Sequence, residues 1–355
     1  TKRLDIEFRN NSIESEIISL LCSQEGYSSP KIEKSFFNIL TNKELNTCVE
    51  YINNKSFDFL IVQIASPLGK IFSPKLLLTL GKTQKLYVVL HNSPKSYITC
   101  YSSGMKSLRN YLKTIKIKFY NIPLVKKRFE RLSNRENIEF VTLTNGNRDE
   151  LRKYFGIESS VINNIVLLKE YDASKNDKKN EIVFLGRMDN YQKDISFLLD
   201  GWKQLKQEGW ILNIVGKGPD LQSLKNYQQK NEIKNVNFMD FIPSDKILDF
   251  LSSQKILVLT SNYEGFPTVF YEAMSVGAVI VTRKFDGFSS DLICNEKNAL
   301  VINSEEELSN ALYSLISKEN LLHDLSRESI NTYRNISNKD TINAWLKKFN
   351  EGECL

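Results

Sequence analysis

The sequence is poor in the residues that build metal sites and disulfide frameworks. Its 355 residues include five cysteines and two histidines. Cys22, Cys48, Cys100, Cys294 and Cys354 are scattered, with no close pair. Neither a zinc site nor a disulfide scaffold follows from that spacing, no metal is expected, and a reducing cytoplasm is the expected compartment. Eight prolines and fifteen glycines without a period exclude collagen-like and low-complexity chains. No apolar run reaches the length of a membrane span, and the opening Thr1-Lys-Arg-Leu-Asp5 stretch lacks the form of a signal peptide. What is present is ordinary globular usage, 41% hydrophobic and 25% charged, in a chain long enough for two domains with a core each.

The net charge of +6 conceals an asymmetry. Residues 1–168 hold 25 basic and 15 acidic side chains, and the remainder is net −4. Most of the excess lies in 106–135, where ten basic residues, among them Lys113, Lys116, Lys126, Lys127, Arg128 and Arg131, face Glu130 alone. A segment of that charge asks for an anionic partner.

Strand and helix alternate through the second half. Short apolar runs at 181–186, 210–215, 236–241, 256–260 and 278–282 read as buried strands. Helical spacing falls between them at 194–206, from Pro219, at 244–254 and at 267–277. That order predicts an α/β domain with a parallel sheet covered on both faces. The first half repeats the pattern less regularly, with strands at 57–65, 86–90 and 138–144 and a helix through 148–155. The polar stretch 169–180 is the expected linker. It separates an N-terminal domain, 1–168, from a second domain, 181–330. Residues 331–355 carry a final helix with Ile342, Trp345, Leu346 and Phe349 on one face.

Thr260-Ser-Asn-Tyr-Glu264-Gly-Phe-Pro-Thr268-Val-Phe-Tyr-Glu272 carries the chemistry. It runs from the carboxyl end of a strand through a loop into a helix, where open α/β sheets bind ligands. A helix start offers free N–H groups to an anion, Gly265 allows close backbone approach, and Pro267 suits a first turn. Glutamates eight residues apart are common by chance, so the spacing alone carries little. The whole string resembles the glutamate-x7-glutamate motif of retaining glycosyltransferases of the GT-B fold, in particular glycosyltransferase family 4. Gly186-Arg187-Met-Asp-Asn-Tyr-Gln-Lys193 is similar to that family's strand-end Gly-Arg with a following lysine. Ile211 to Gly216-Lys-Gly218-Pro219 is similar to its next strand and glycine turn, and Val236 to Phe241-Ile242-Pro243 to the segment before its base pocket.

The resemblance implies two Rossmann-like domains facing a cleft, with the last helix crossing back to the first domain. It implies transfer of a hexose from a nucleotide diphosphate-sugar, UDP-sugars favoured over GDP-sugars, with no obligatory cofactor. The acceptor would be a saccharide or lipid-linked saccharide in cell-surface polysaccharide assembly. Arg187 and Lys193 would stabilise charge growing on the leaving diphosphate, as fixed cations do. Glu264 would contact the donor sugar and Glu272 the ribose, with Phe241 and Ile242 beside the base. The amides around Gly265, Phe266 and Thr268 would add the helix-end field, and Gly186 and Gly216 would let backbone approach the donor. His91, after the strand ending at Leu90, would face the sugar; alternatively it merely caps that strand. The family's glycine-rich loop near the start has no counterpart in Thr1–Pro30, where Gly26 stands alone. A non-catalytic GT-B partner subunit and a GT-B sugar-nucleotide epimerase are the rival readings.

Three readings of 106–135 stand beside this. Leu108, Leu112, Ile115 and Phe119, then Val125, Phe129 and Leu132 after Pro123, fit an ordinary helix pair with its apolar face in the core. Anionic lipid is the second, with the enzyme peripheral on the inner face of the cell membrane. Nucleic acid is the least favoured, since neither a stacking platform nor a groove-reading motif is present.

Overall fold

Among the described residues, twelve strands arise where the sequence concentrates β-branched and other apolar residues. The computed structural model describes residues 57–64, 85–99, 117–166, 178–205 and 208–352, with residue 115 and short pieces among the first 84. Two compact units result: Thr1–Thr99 with Ile115–Ile165 and Ser337–Leu355, and Cys100–Thr114 with Val166–Ile336. Lys113, Lys116, Leu108, Leu112, Gly26 and linker residues 169–177 lie outside the described residues.

In the first unit, β1 (Ser19–Leu21) and β2 (Phe36–Asn38) pair in parallel, in a stretch where the sequence reading placed no strand. A second sheet holds β3 (Phe59–Ile64), β4 (Lys85–Leu90), β5 (Ile138–Thr142) and β6 (Ser160–Val161), in that order and all parallel. Helix α1 (Ile122–Ser133) buries Val125, Phe129 and Leu132. Pro123 does not interrupt it, because it sits in the first turn, where a missing N–H costs no hydrogen bond. Phe119 does not continue the buried face of α1. A π-helical turn over Ile117–Asn121 shifts the periodicity, leaving Phe119 73% and Tyr120 64% exposed. Helix α2 (Asn145–Phe155) starts at Thr144, whose hydroxyl accepts from the Asn147 N–H, and ends at Gly156 in the left-handed region.

The second unit contains one six-stranded parallel sheet, ordered β12-β11-β10-β7-β8-β9. The strands are β7 (Lys179–Leu185), β8 (Ile211–Val215), β9 (Val236–Met239), β10 (Gln254–Leu259), β11 (Val279–Arg283) and β12 (Ala299–Ile302). Ile182–Phe184, Ile256–Leu259 and Val279–Val281 are wholly buried, as strands covered on both faces must be. Around them lie α3 (Ile195–Gln204), α4 (Leu221–Lys230), α5 (Ile247–Ser252), α6 (Thr268–Ser275), α7 (Glu305–Ser317) and α8 (Glu319–Arg334). Successive connections run from β7 to β8 on one side, yet β10 lies on β7's other side. The strand order therefore reverses between β7 and β10, which opens a crevice at their carboxyl ends.

The helix expected over 331–352 is two helices. α8 ends at Arg334, and α9 (Asn338–Gly352) begins after Ser337, whose hydroxyl accepts from the Lys339 N–H. α9 belongs to the first unit, where Trp345 and Phe349 pack with Phe8, Phe59 and Tyr87. Phe349 stacks on Phe59 at 3.7 Å, and the Tyr87 hydroxyl donates to the Lys348 carbonyl at 2.8 Å.

Candidate functional site at the carboxyl ends of β7 and β10

Two loops meet at the strand-order reversal. After β7, Gly186 leads into Arg187 and a helical turn, Asn190–Lys193, capped by the Asp189 carboxylate. After β10, Thr260–Glu264 leads past Gly265, Phe266 and Pro267 into α6. Lys193 Nζ donates to Glu264 Oε1 at 2.5 Å, with side-chain exposures of 15% and 8%. The Ser261 hydroxyl donates to the same oxygen at 2.6 Å. The cation and the hydroxyl thus share one oxygen of a buried carboxylate. The Lys193 stem passes Gly186: a Cβ added there would lie 3.6 Å from Lys193 Cε.

The β8 turn locks the first loop in place. Gly216 has φ +143°, and a Cβ on it would collide with the Gly186 carbonyl oxygen, so glycine is required twice over. The Met188 N–H donates to the Lys217 carbonyl, and the Asn190 N–H to the Asp220 carboxylate, both at 2.8 Å. Arg187 projects exposed from this loop. The second loop presents Glu264, buried, and Phe266, whose ring stacks on Tyr271 at 5.0 Å. Burial pushes the Tyr263 and Tyr271 phenols up, so both stay neutral. Pro267 supplies no side-chain cap to α6, whose first turn begins at Thr268; Glu272 follows about one turn later, half-buried. Phe241 is exposed beside Asp240, which pairs with Lys217 at 3.1 Å, and Ile242 is half-buried.

Residues 169–332 match the family model described as Glycosyl transferases group 1. The matched segment lies within the second unit. The amylovoran biosynthesis glycosyltransferase AmsD of Erwinia amylovora is 29% identical over 192 residues, 51% of this chain and 53% of that protein. The chain thus spans about half the length of the curated relatives it matches. The sucrose-phosphate synthase of Thermosynechococcus elongatus has a TM-score of 0.74 at 13% identity, over 99% of this chain and 92% of its own. HepE of Anabaena, in complex with UDP-glucose, has a TM-score of 0.64 at 14% identity, over 90% and 85%. These likenesses show that the fold is GT-B.

The matched segment contains Gly186, Arg187, Lys193, Gly216, Phe241, Ile242, Glu264 to Thr268 and Glu272. Lys193 and Glu264 are brought into direct contact, whereas Arg187 stands at the exposed rim. Sequence reasoning missed what braces them: Asp194, Ser261, Asn262 and Arg283. Small polar residues directly after β10 were the one available signal.

His91 belongs to the first unit. Its N–H donates to the Ile64 carbonyl at 2.8 Å, extending the β3–β4 ladder. The loop behind it is fixed by the buried Ser93 hydroxyl, which donates to the Glu150 carboxylate at 2.5 Å. Nε2 of His91 is buried with no hydrogen-bond partner among the described residues, and burial lowers its pKa to about 4. The unfolded chain binds that proton near pH 6.5, so stability is full above that value and is lost as pH falls toward 4. The expected loss is about 3 kcal/mol. Urea unfolding of wild type and His91→Asn at pH 7 and pH 4 checks this. The variant should lose less on acidification, and equal losses would refute it.

Proposed function

We propose that this chain is a retaining glycosyltransferase that moves a hexose from a UDP-sugar to a saccharide or lipid-linked saccharide in cell-surface polysaccharide assembly. The observation that carries the reading is the Lys193–Glu264 pair at the strand-order reversal of a group 1 domain. The bond from the anomeric carbon to the diphosphate breaks, and one to the acceptor oxygen forms on the same face. The acceptor's proton leaves with the diphosphate. Arg187 and Lys193 neutralise the leaving group, a fork and a point charge respectively. The N–H groups of Gly265, Phe266 and Thr268, around the start of α6, favour the same anion. Glu264 meets the donor sugar and Glu272 the ribose. Gly186 and Gly216 admit the donor closely, and backbone at Phe241 and Ile242 reads the base. HepE, solved with UDP-glucose, supports a uridine donor.

Thermal-shift measurements with UDP-, GDP-, ADP- and CMP-compounds test the donor. Stabilisation by UDP-compounds is expected, and stabilisation by none of the four would overturn the reading. Sugar transfer by Glu264→Ala at the wild-type rate would remove the catalytic role of that carboxylate.

The same reading places the protein in the cytoplasm, against the anionic inner face of the cell membrane. No helix among the described residues is long and apolar enough to cross a bilayer. Exposed Phe119 and Tyr120 precede α1, which carries Lys126, Lys127 and Arg131 exposed and Arg128 half-buried. Aromatic rings suit the headgroup level, and each basic residue near an anionic surface adds about 1 kcal/mol. Co-sedimentation with phosphatidylglycerol vesicles should exceed that with phosphatidylcholine vesicles. Replacing Lys126, Lys127 and Arg131 with glutamine should abolish the difference, and equal binding to both lipids would return α1 to an ordinary solvated helix.

A further inference from the structure

We propose that Arg283 is a positioning residue for this site, holding the Lys193 turn against the Glu264 loop by bridging Asp194 and Asn262. The inference rests on the donor-site reading above. None of the sequence motifs that carry that reading includes Arg283 or Asp194, and Asn262 has no role in the motif that spans it.

Arg283 is the last residue of β11, which pairs with β10 so that Thr282 lies opposite Leu259. Its side chain therefore starts beside the loop that leaves β10. One guanidinium nitrogen, Nη1, donates to Asp194 Oδ2 at 2.9 Å and to Asn262 Oδ1 at 3.2 Å. The guanidinium lies 4.4 Å over the Phe197 ring, which fixes its plane. Asp194 directly follows Lys193 and has φ +43°, a conformation that costs an aspartate energy and a glycine almost none. Its side chain is 7% exposed, so a charge is buried in a strained backbone position. Both costs make sense if the carboxylate is an anchor. Oδ2 takes Arg283, and Oδ1 accepts from the Ser196 hydroxyl at 3.1 Å.

Asn262 performs the matching task on the other loop. Its N–H donates to the Gln192 carbonyl at 2.8 Å and its side-chain amide to the Tyr191 carbonyl at 3.0 Å. The Thr260 hydroxyl adds contacts to the Lys193 and Asp194 carbonyls at 3.0 and 3.1 Å. Every residue from Tyr191 to Asp194 is thus tied by its carbonyl or carboxylate to the segment 260–262 or to Arg283. Only within that frame do Nζ of Lys193 and the Glu264 carboxylate meet. Arg283 acts through its neighbours on the placement of Lys193. Misplacing a catalytic charge by about 1 Å can cost on the order of 100-fold in rate.

The test compares the full chain with Arg283→Met, Arg283→Lys, Asp194→Gly and the double variant Asp194→Gly/Arg283→Met. Turnover is read as nucleoside diphosphate release from the donor that the nucleotide panel selects, well below each variant's Tm. For Arg283→Met, kcat should fall at least 10-fold while the donor KM changes less than 3-fold, since ground-state binding is shared with Arg187 and the α6 amides. Arg283→Lys should recover part of kcat, as the pairing to Asp194 survives. Asp194→Gly should lose kcat as Arg283→Met does, while glycine's ease in that backbone position offsets part of the stability lost when Arg283 is left without its carboxylate. The double variant should be no slower than the slower single one, because both remove the same bridge. A lowered Tm with unchanged kcat in Arg283→Met, or losses that multiply in the double variant, overturns the inference alone. A wild-type chain that neither binds a nucleotide nor turns over a donor overturns the donor-site reading and this inference with it.

Discussion

Lys193→Met is expected to lower transfer by 100- to 1000-fold and, separately, to destabilise the protein. On the proposed donor reading, the rate effect follows from removing a fixed cation where negative charge would grow, a loss of about 3–4 kcal/mol in the barrier. The stability effect has another origin. Glu264 is 6% exposed, and without Lys193 its carboxylate keeps only the Ser261 hydroxyl among the contacts of its Oε1. Breaking a buried pair from one side costs about 3–5 kcal/mol, whereas replacing both partners by apolar groups is often neutral. Lys193→Met/Glu264→Leu should therefore regain most of the stability and none of the activity. Urea unfolding alongside donor turnover separates the two. If the double variant is as unstable as the single one, the ion pair is not the source of the loss; if it regains activity, neither residue serves the chemistry.

Trp345→Ala should destabilise the first unit by about 3–5 kcal/mol, the range for deleting a large buried aromatic ring. Trp345 is 3% exposed and meets the Tyr87 ring edge-on at 5.6 Å, while Phe349 lies 5.8 Å away in a stacked arrangement. Tyr87 is itself buried in the middle of β4, and its hydroxyl donates to the Lys348 carbonyl. Burial and nearby Glu139 and Glu351 push that phenol up to about 12, so it remains a donor across the physiological range. Deleting the indole opens a cavity against β4 and loosens the neighbour that makes this bond. Tryptophan-free far-ultraviolet circular dichroism during urea unfolding reads the effect. A loss below about 1 kcal/mol would mean that α9 rests on the sheet without stabilising it.

Some features were legible because their causes are local. The segment 256–275 announces itself through an apolar run, a polar strand end and a proline at a helix start, and it folds as β10, loop and α6. The apolar face of the last helix, Ile342, Trp345 and Phe349, is likewise set by spacing along one element, and all three are buried. Other features depend on partners remote in sequence. The Arg283–Asp194 pair spans 89 residues, and a left-handed aspartate has no sequence signature. Phe119 fits a helical stripe by number, but a π turn before Pro123 breaks the period that the count assumes. The break between α8 and α9 is marked by i to i−3 bonds at Asn335 and Ile336 and by the Ser337 hydroxyl, in a run that otherwise reads as continuous helix.

The return of α9 to the first unit has a consequence for synthesis. A ribosome delivers β3, β4 and β5 early, yet the aromatic face of Phe59 and Tyr87 waits for Trp345 and Phe349, 258 to 290 residues later. The core of the second unit, by contrast, is drawn from residues 182–325, an unbroken stretch that emerges before α9. The order of completion is thus the reverse of the order of emergence: the second unit can close while the first still exposes an apolar sheet face. During that interval the nascent chain presents that apolar face, and chaperone demand should track the time between translation of residue 90 and of residue 352.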